Sequence, residues 1–339
     1  MEPGNLGSAL VFGALPAFAV LALVYWLDRY EKEPASLLAM ALGIGAILAP
    51  AVAVLIQKAV DVPTSIAVQS DVPLARLNAT SPVIEELVRA AAVLLALYLV
   101  RREIDTLLDG LVYGAVVGTG FGLAATFMAI LTTPSLGTPA TTGLAGALIA
   151  SLNHTFYGAL IGLAIGAVRT KPVSTWALMA LMGGIVASGF HLLHDYLPSW
   201  LASDPSSAQG NTFIGIVDDL PNFLGLVALA VLIYTATNRE NALVQEELQD
   251  EVSSGALTQA EYDVVASPMQ RFSSLTGALF GPTSWKHRRK LYGLAIELAF
   301  RKHHRRTGRS AAGMRGEDTY RAEIAETRRE LAEAEEGVR

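Results

Sequence analysis

Glu85 and Glu86 stand near the start of an apolar run, residues 81–100, with Arg89 one turn further on. Carboxylates in such a place can bind a metal or move a proton, and charges at membrane depth cost a few kcal/mol each unless they serve a purpose (about 2.5–3.5 on insertion scales). Glu85 and Arg89 are four apart and could pair on one helix face, with Glu86 turned about 100° away. Other polar residues fall inside apolar stretches as well. His154, preceded by Asn153, lies in "ASLNHTFYG", and His191, His194 and Asp195 lie in "GFHLLHDYL". The spacings of three and four put the last three on one face. Neutral imidazole and carboxylate together form a zinc-type ligand set, and a neighbouring carboxylate could activate a bound water. Each residue also has a plainer reading. A glutamate could sit at a wet lip, His154 could be a hydrogen-bonded core histidine, and His194 could face water. Asp109 reads as a helix cap, and Asp218 and Asp219 stand where the last span begins, with Asp219 capping and Pro221 in the first turn.

The chemistry open to the chain is narrowed by what it lacks. There are no cysteines, so disulfides, thiolate ligands and a cysteine nucleophile are excluded. The sequence has no H-E-x-x-H, no G-x-S-G and no G-x-G-D, which removes zincin-like, serine and aspartyl intramembrane signatures.

The elements that must hold these residues are membrane helices. The chain has 339 residues, 52% hydrophobic, with a mean hydropathy of +0.41. That is the composition of a multispanning membrane protein in contact with the lipid bilayer. About 20 apolar residues cross a bilayer core. The stretches 8–27, 36–57, 82–100, 109–132, 141–168, 173–197 and 213–236 qualify, so the expected fold is all-α, a bundle of about seven transmembrane helices. The first stretch lacks a basic leader region and reads as a retained span rather than a signal peptide. Lys and Arg gather in alternate loops (Arg29 and Lys32, Arg101 and Arg102, Arg169 and Lys171), while "TTPSLGTPATT" and "PSWLASDPSSAQGN" have none. This pattern predicts the N-terminus outside and the C-terminus in the cytoplasm. On that orientation three helices bring carboxylate or imidazole to the outer half of the membrane.

Residues 1–236 hold 9 of the 25 Lys and Arg, and residues 237–339 hold 16. The shift predicts a transmembrane domain over 1–236 and a cytoplasmic helical tail over 237–339. In the tail, Gly255 reads as a stop and Thr258 with Glu261 as a capping box. Lys286–Arg309 is a basic amphipathic helix suited either to anionic lipid or to an acidic partner helix such as "RAEIAETRRELAEAEE". The net charge of -6 argues against nucleic acid as a partner. Two glycine ladders, at Gly110, Gly114, Gly118 and Gly122 and at Gly158, Gly162 and Gly166, predict close helix packing.

These features in this order resemble the PrsW family of intramembrane metalloproteases, which is related to the type II CAAX prenyl endopeptidases. The matching stretches are "YWLDRYEKEP", "EELVR", "DGLVYGAVVGTGFG", "HTFYGALIG" and "HLLHD", with "GALTQAEY" and "AIELAFRK" in the tail. The resemblance implies a hydrolase of regulated proteolysis in a bacterial-type plasma membrane. It would cut single-span membrane proteins, such as anti-sigma factors, near the outer face. It implies Glu85 and Glu86 as the catalytic pair and a divalent metal, zinc by donor type, on His154, His191 and Glu86. Arg89, Asn153, His194 and Asp195 would support them. One position departs from the family. Ala125 stands where a Phe-x-x-x-Glu glutamate is usual, counted from Phe121, and alanine can neither bind metal nor carry a proton. A catalytically impaired relative that binds membrane proteins is therefore the alternative expectation.

Overall fold

The structure is a computed structural model that describes residues 3–27, 33–62, 80–101, 103–104, 106–132, 140–201, 212–278, 282–307 and 315–336. The described residues form helices and their connections. In chain order these are α1 (Pro3–Leu27), α2 (Ala35–Gly43), a π-helical turn (Ile44–Leu48), α3 (Ala49–Ala59), α4 (Thr80–Leu99), α5 (Leu107–Thr132), α6 (Ala140–Gly166) and α7 (Val173–Leu201). They continue with α8 (Thr212–Ser253), α9 (Gln259–Val265), α10 (Pro268–Gly277), α11 (Pro282–Thr307) and α12 (Glu317–Glu336). The chain divides into two compact units, one holding Glu33–Val231 and α1, the other built on Leu232–Arg339.

The first unit is the apolar one. Among the described residues, five helical segments are long and apolar enough to cross a membrane: Ala35–Ala59, Leu107–Leu131, Leu144–Gly166, Val173–Leu197 and Asp219–Ser253. The apolar part of α1 is shorter, Val11–Trp26, and α4 carries Glu85, Glu86 and Arg89 within its 20 residues. The charge that marks α4 chemically is what removes it from the purely apolar set.

Helices α5 and α6 form the frame of this unit. A β-carbon on Gly110, Gly114 or Gly118 would run into the backbone of α6 at Gly162, Gly158 or His154, and one on Gly158 or Gly162 would run into α5. Backbone-to-backbone approach replaces side-chain packing along the whole seam. Gly45 and Gly120 make a second close crossing, between the π turn and α5. That turn immediately precedes Pro50, whose missing N–H removes a bond that a continuous α-helix would make. Gly183 meets Ile161 on α6, and Gly184 meets Ala90 on α4. Adjacent glycines thus bring α7 against both helices that carry the polar groups.

Two of the expected caps prove to be something else. Asp109 is not the N-cap of α5. Thr106 is, and Asp109 stands three residues later, accepting from the Thr106 amide at 2.7 Å while the Thr106 hydroxyl receives the Asp109 amide at 3.2 Å. Asp219 is no cap either, because α8 begins at Thr212 and runs through Pro221.

The second unit is a small helical domain around Val244, Leu248, Leu257, Val265, Leu291, Leu298 and Ile324. Its turn chemistry is as the sequence reads. Gly255 takes a positive φ of 79°, and Thr258 and Glu261 form both halves of a capping box. Burial alone would raise the Glu261 carboxyl, but Arg328 and the Thr258 amide hold it below the usual range. The basic helix α11 spends its charges inside the unit. Arg288 pairs with Glu335 at 2.7 Å, Lys302 with Glu251 at 2.9 Å, Arg305 with Glu317 at 3.0 Å and Arg306 with Glu246 at 2.8 Å. This pairing gives no support to an anionic-lipid face and matches the acidic-partner reading.

Candidate active site

The polar residues of α4, α6 and α7 meet in one buried cluster. Glu85, Glu86 and Arg89 are all buried. The ion pair on α4 joins Arg89 to Glu86, three residues away, rather than to Glu85. The correction has a geometric reason. Glu86 faces inward, where His191 Nδ1 lies 2.8 Å from its Oε1, and a guanidinium turned to the same side also reaches His154. Glu85 instead accepts a hydrogen bond from Gln57 Nε2 on α3 at 3.0 Å, and the same amide donates to Ser81 at 2.8 Å. Neither glutamate is an exposed lip residue.

His154 owes its position to glycine. A β-carbon on Gly122 would come within 3.0 Å of His154 Cβ and 3.1 Å of its Cδ2, and one on Gly118 would strike the His154 carbonyl. Arg89 Nη2 lies 2.9 Å from His154 Nδ1. A guanidinium only donates, so Nδ1 accepts and the ring proton sits on Nε2. His154 is therefore hydrogen-bonded, as its plainer reading has it, yet it is bonded into the cluster. The Arg89 guanidinium lies over the Phe121 ring at 4.2 Å and over Tyr157 at 5.6 Å, a cation–π setting that offsets part of its desolvation.

The α7 residues separate. His191 is buried and its Nδ1 faces Glu86; in the neutral ring that arrangement would put the lone pair on Nε2. Asp195 Oδ2 lies 3.8 Å from that nitrogen, too far for a direct hydrogen bond. His194 turns to α8, with its Nδ1 3.6 Å from Asp219 Oδ1, and Asn153 donates to the same oxygen at 3.3 Å. His194 is partly exposed, as a residue at an aqueous edge would be.

The donor set can be tested against a divalent ion. The imidazole centres of His154 and His191 are 5.9 Å apart. On a tetrahedral ion with metal–nitrogen bonds near 2 Å the ring centres would lie roughly 5 Å apart, so the two rings would have to close. Glu86 Oε2 is buried and finds no partner among the described residues. The donor types suit such an ion, but Glu86 reaches His191 at Nδ1, the edge opposite Nε2. The present arrangement is a different one: among the described residues, no three His, Asp or Glu close around a single point. The only lone pair of His154 faces Arg89, which stands as the cation of the cluster. An ion held by His154 would have to replace Arg89 at Nδ1.

Several residues here escape a search for charge and imidazole. Gln57 closes an apolar stretch. Tyr157 stacks on His191 with ring centres 5.1 Å apart and planes at 21°, and it accepts a hydrogen bond from Asn222 at 2.9 Å. Asp219, read from the sequence as a cap, instead accepts a hydrogen bond from Asn153. Helical spacing offers a partial signal, because Tyr157 is three residues from His154 and Asn222 three from Asp219.

A bundle of long apolar helices enclosing carboxylate, guanidinium and imidazole groups defines a polytopic membrane protein with a buried polar site, and the family is now identifiable. Residues 33–235 match the family model of the PrsW family intramembrane metalloproteases, and the chain belongs to that family. No curated protein and no solved structure gives a significant match. The family is one of metalloproteases, which implies a divalent metal.

Proposed function

We propose that this protein is a metal-dependent endopeptidase that cleaves single-span membrane proteins near the outer face of a bacterial-type plasma membrane. What supports the reading is the buried network in which Arg89 and Glu86 bond His154 and His191 across three helices, in a chain of the PrsW family. His154, His191 and Glu86 would hold the ion, and zinc suits that donor set. When bound, such an ion supplies Lewis acidity and a water of lowered pKa.

The rest of the chemistry falls to the chain. Glu85, steadied by Gln57, takes a proton from the attacking water as its oxygen bonds to the peptide carbonyl carbon. The same proton then goes to the departing amine as the carbon–nitrogen bond breaks. Seven spans over residues 1–236, with the N-terminus outside and the tail from residue 237 in the cytoplasm, complete the proposal. They rest on loop charge and on the helices that cover all seven apolar stretches.

The decisive experiment reconstitutes the purified chain in liposomes with a panel of single-span proteins carrying short outer segments. Cleavage should stop with chelator and return with zinc. Cleavage at full rate in chelator, or none across the panel, would overturn the reading.

A further inference from the structure

We infer that α10 rests on the lipid surface, with Met269 and Phe272 as the side chains that enter it. This contact belongs to the second unit and is independent of the chemistry proposed for the first. Among the described residues beyond Tyr234, only Met269 and Phe272 are large hydrophobic side chains left exposed, at 75% and 55%. They stand three apart and share one face of α10. Gln270, Ser273 and Gly277, the other exposed residues of this helix, carry no charge. Its one charged residue, Arg271, is buried and donates to the Val265 carbonyl at 2.6 Å.

The spanning helix α8 brings this face to the lipid. Near the end of its apolar run Tyr234 is 67% exposed, and tyrosine is a residue type that marks the bilayer interface. Gln245 lies about three turns further along the same helix, on nearly the same face and about 16 Å beyond Tyr234. There Gln245 Nε2 donates to the Ala266 carbonyl at 3.0 Å, and the Gln245 carbonyl accepts from the Tyr262 hydroxyl at 3.2 Å. These bonds hold the junction of α9 and α10 on the side of α8 that exposes Tyr234. A headgroup layer of about 5–7 Å, the length of a Met or Phe side chain and the tilt usual for a spanning helix together cover the gap. Two side chains fall far short of the roughly 800 Å² a side that a stable protein interface buries, so neither a second copy nor a partner protein suits the face. Lipid needs no such area, because α8 already holds the unit at the membrane and a weak contact suffices at that effective concentration. A face without charge also enters the interfacial layer with no ion to desolvate. The basic helix α11 is not that surface, since its charges are paired inside the unit.

The chain has no cysteine, so a single spin label can be placed at will. Met269→Cys, Phe272→Cys and, as a reference on the exposed side of α12, Ala325→Cys are made in the full-length chain, labelled with a nitroxide and reconstituted in phosphatidylcholine nanodiscs. Power-saturation EPR compares access of oxygen, which concentrates in lipid, with access of a water-soluble nickel chelate. Labels at 269 and 272 should favour oxygen over nickel severalfold more than the label at 325 does. Adding phosphatidylglycerol should leave that ratio unchanged, because the face is uncharged. With Met269→Ser and Phe272→Ser in place, a label at Ser273→Cys should gain nickel access severalfold over the same label on the native face, at unchanged Tm. Three results would each overturn the inference and leave the peptidase reading as it stands. They are labels at 269 and 272 as open to nickel as the one at 325, labels shielded from both reagents as in a protein contact, and a lipid signature that needs anionic lipid.

Discussion

Glu251 in the tail unit and Glu86 in the membrane unit are both buried among cations, and the two settings differ in completeness. In the tail unit, Glu251 is almost wholly enclosed, yet both its oxygens are engaged. Lys302 and Arg321 share Oε1 at 2.9 and 2.7 Å, and Arg321 Nε holds Oε2 at 2.8 Å. In the membrane unit, Glu86 Oε1 receives Arg89 and His191 while Oε2 has no partner among the described residues. An unpaired buried acceptor costs about 1–3 kcal/mol. The tail network spends its charge on holding helices together. The membrane cluster leaves one oxygen of Glu86 open among the described residues.

If that contrast is right, the largest effect belongs to Glu86. Glu86→Ala should cut cleavage by about 10²–10⁴-fold and abolish zinc retention, whereas Glu251→Gln should leave turnover of the folded protein near wild type. Equal losses in the two variants would erase the distinction. Next comes Arg89. Removing it strands Glu86, and breaking a buried pair costs about 3–5 kcal/mol. Arg89→Gln should therefore lower the Tm of the ion-free protein, and zinc should restore part of it by supplying the missing charge. A Tm indifferent to zinc would argue against an ion in Arg89's place. Ala125→Glu sharpens the comparison in the other direction. Position 125 lies one helical turn beyond Phe121, the residue whose ring carries the Arg89 guanidinium. A carboxylate there should raise zinc affinity or turnover at least severalfold, and a variant identical to wild type in both would show that this position has no part in the site.

The smallest effect is in the tail. The Glu261 carboxyl is held low, so its ion pair with Arg328 contributes stability that is present above the ordinary glutamate range and lost as pH falls through the depressed value. Burial alone would lower Lys302, but Asp250 and Glu251 raise it. Its contribution is complete below the ordinary lysine value and fades as pH rises through the elevated one. Amide exchange in α9 and α11 should quicken below about pH 4.3, with a second rise above about pH 10.4. Protection that stays flat across both windows would mean these pairs contribute nothing.

Much of this was legible from residue order. Helices cover every stretch long enough to span, because apolar length is a strong local signal. The glycine ladders announced the α5–α6 seam, and Thr258 with Glu261 announced the start of α9. What stayed hidden depends on side-chain direction across helices. Spacing alone could not choose between Glu85 and Glu86 as the partner of Arg89, since i+3 and i+4 both share a face. Asp219 looked like a cap because Pro221 looked like a first turn, but the helix begins at Thr212 and runs through Pro221. Tyr157 carried no charge to draw attention, and its importance arises only from the ring it stacks on.

The glycine seam between α5 and α6 has a consequence in time. His154 reaches its place only where Gly118 and Gly122 leave room for its carbonyl and its ring, so the imidazole has no seat until the two helices are in backbone contact. During synthesis α4 emerges first, with its acids, and α7 emerges last, with His191. A hydrolase in a lipid bilayer endangers its neighbours if it is armed while incomplete. On the proposed function, the order of emergence and the need for pairing would keep Glu86, His154 and His191 apart until the fold closes.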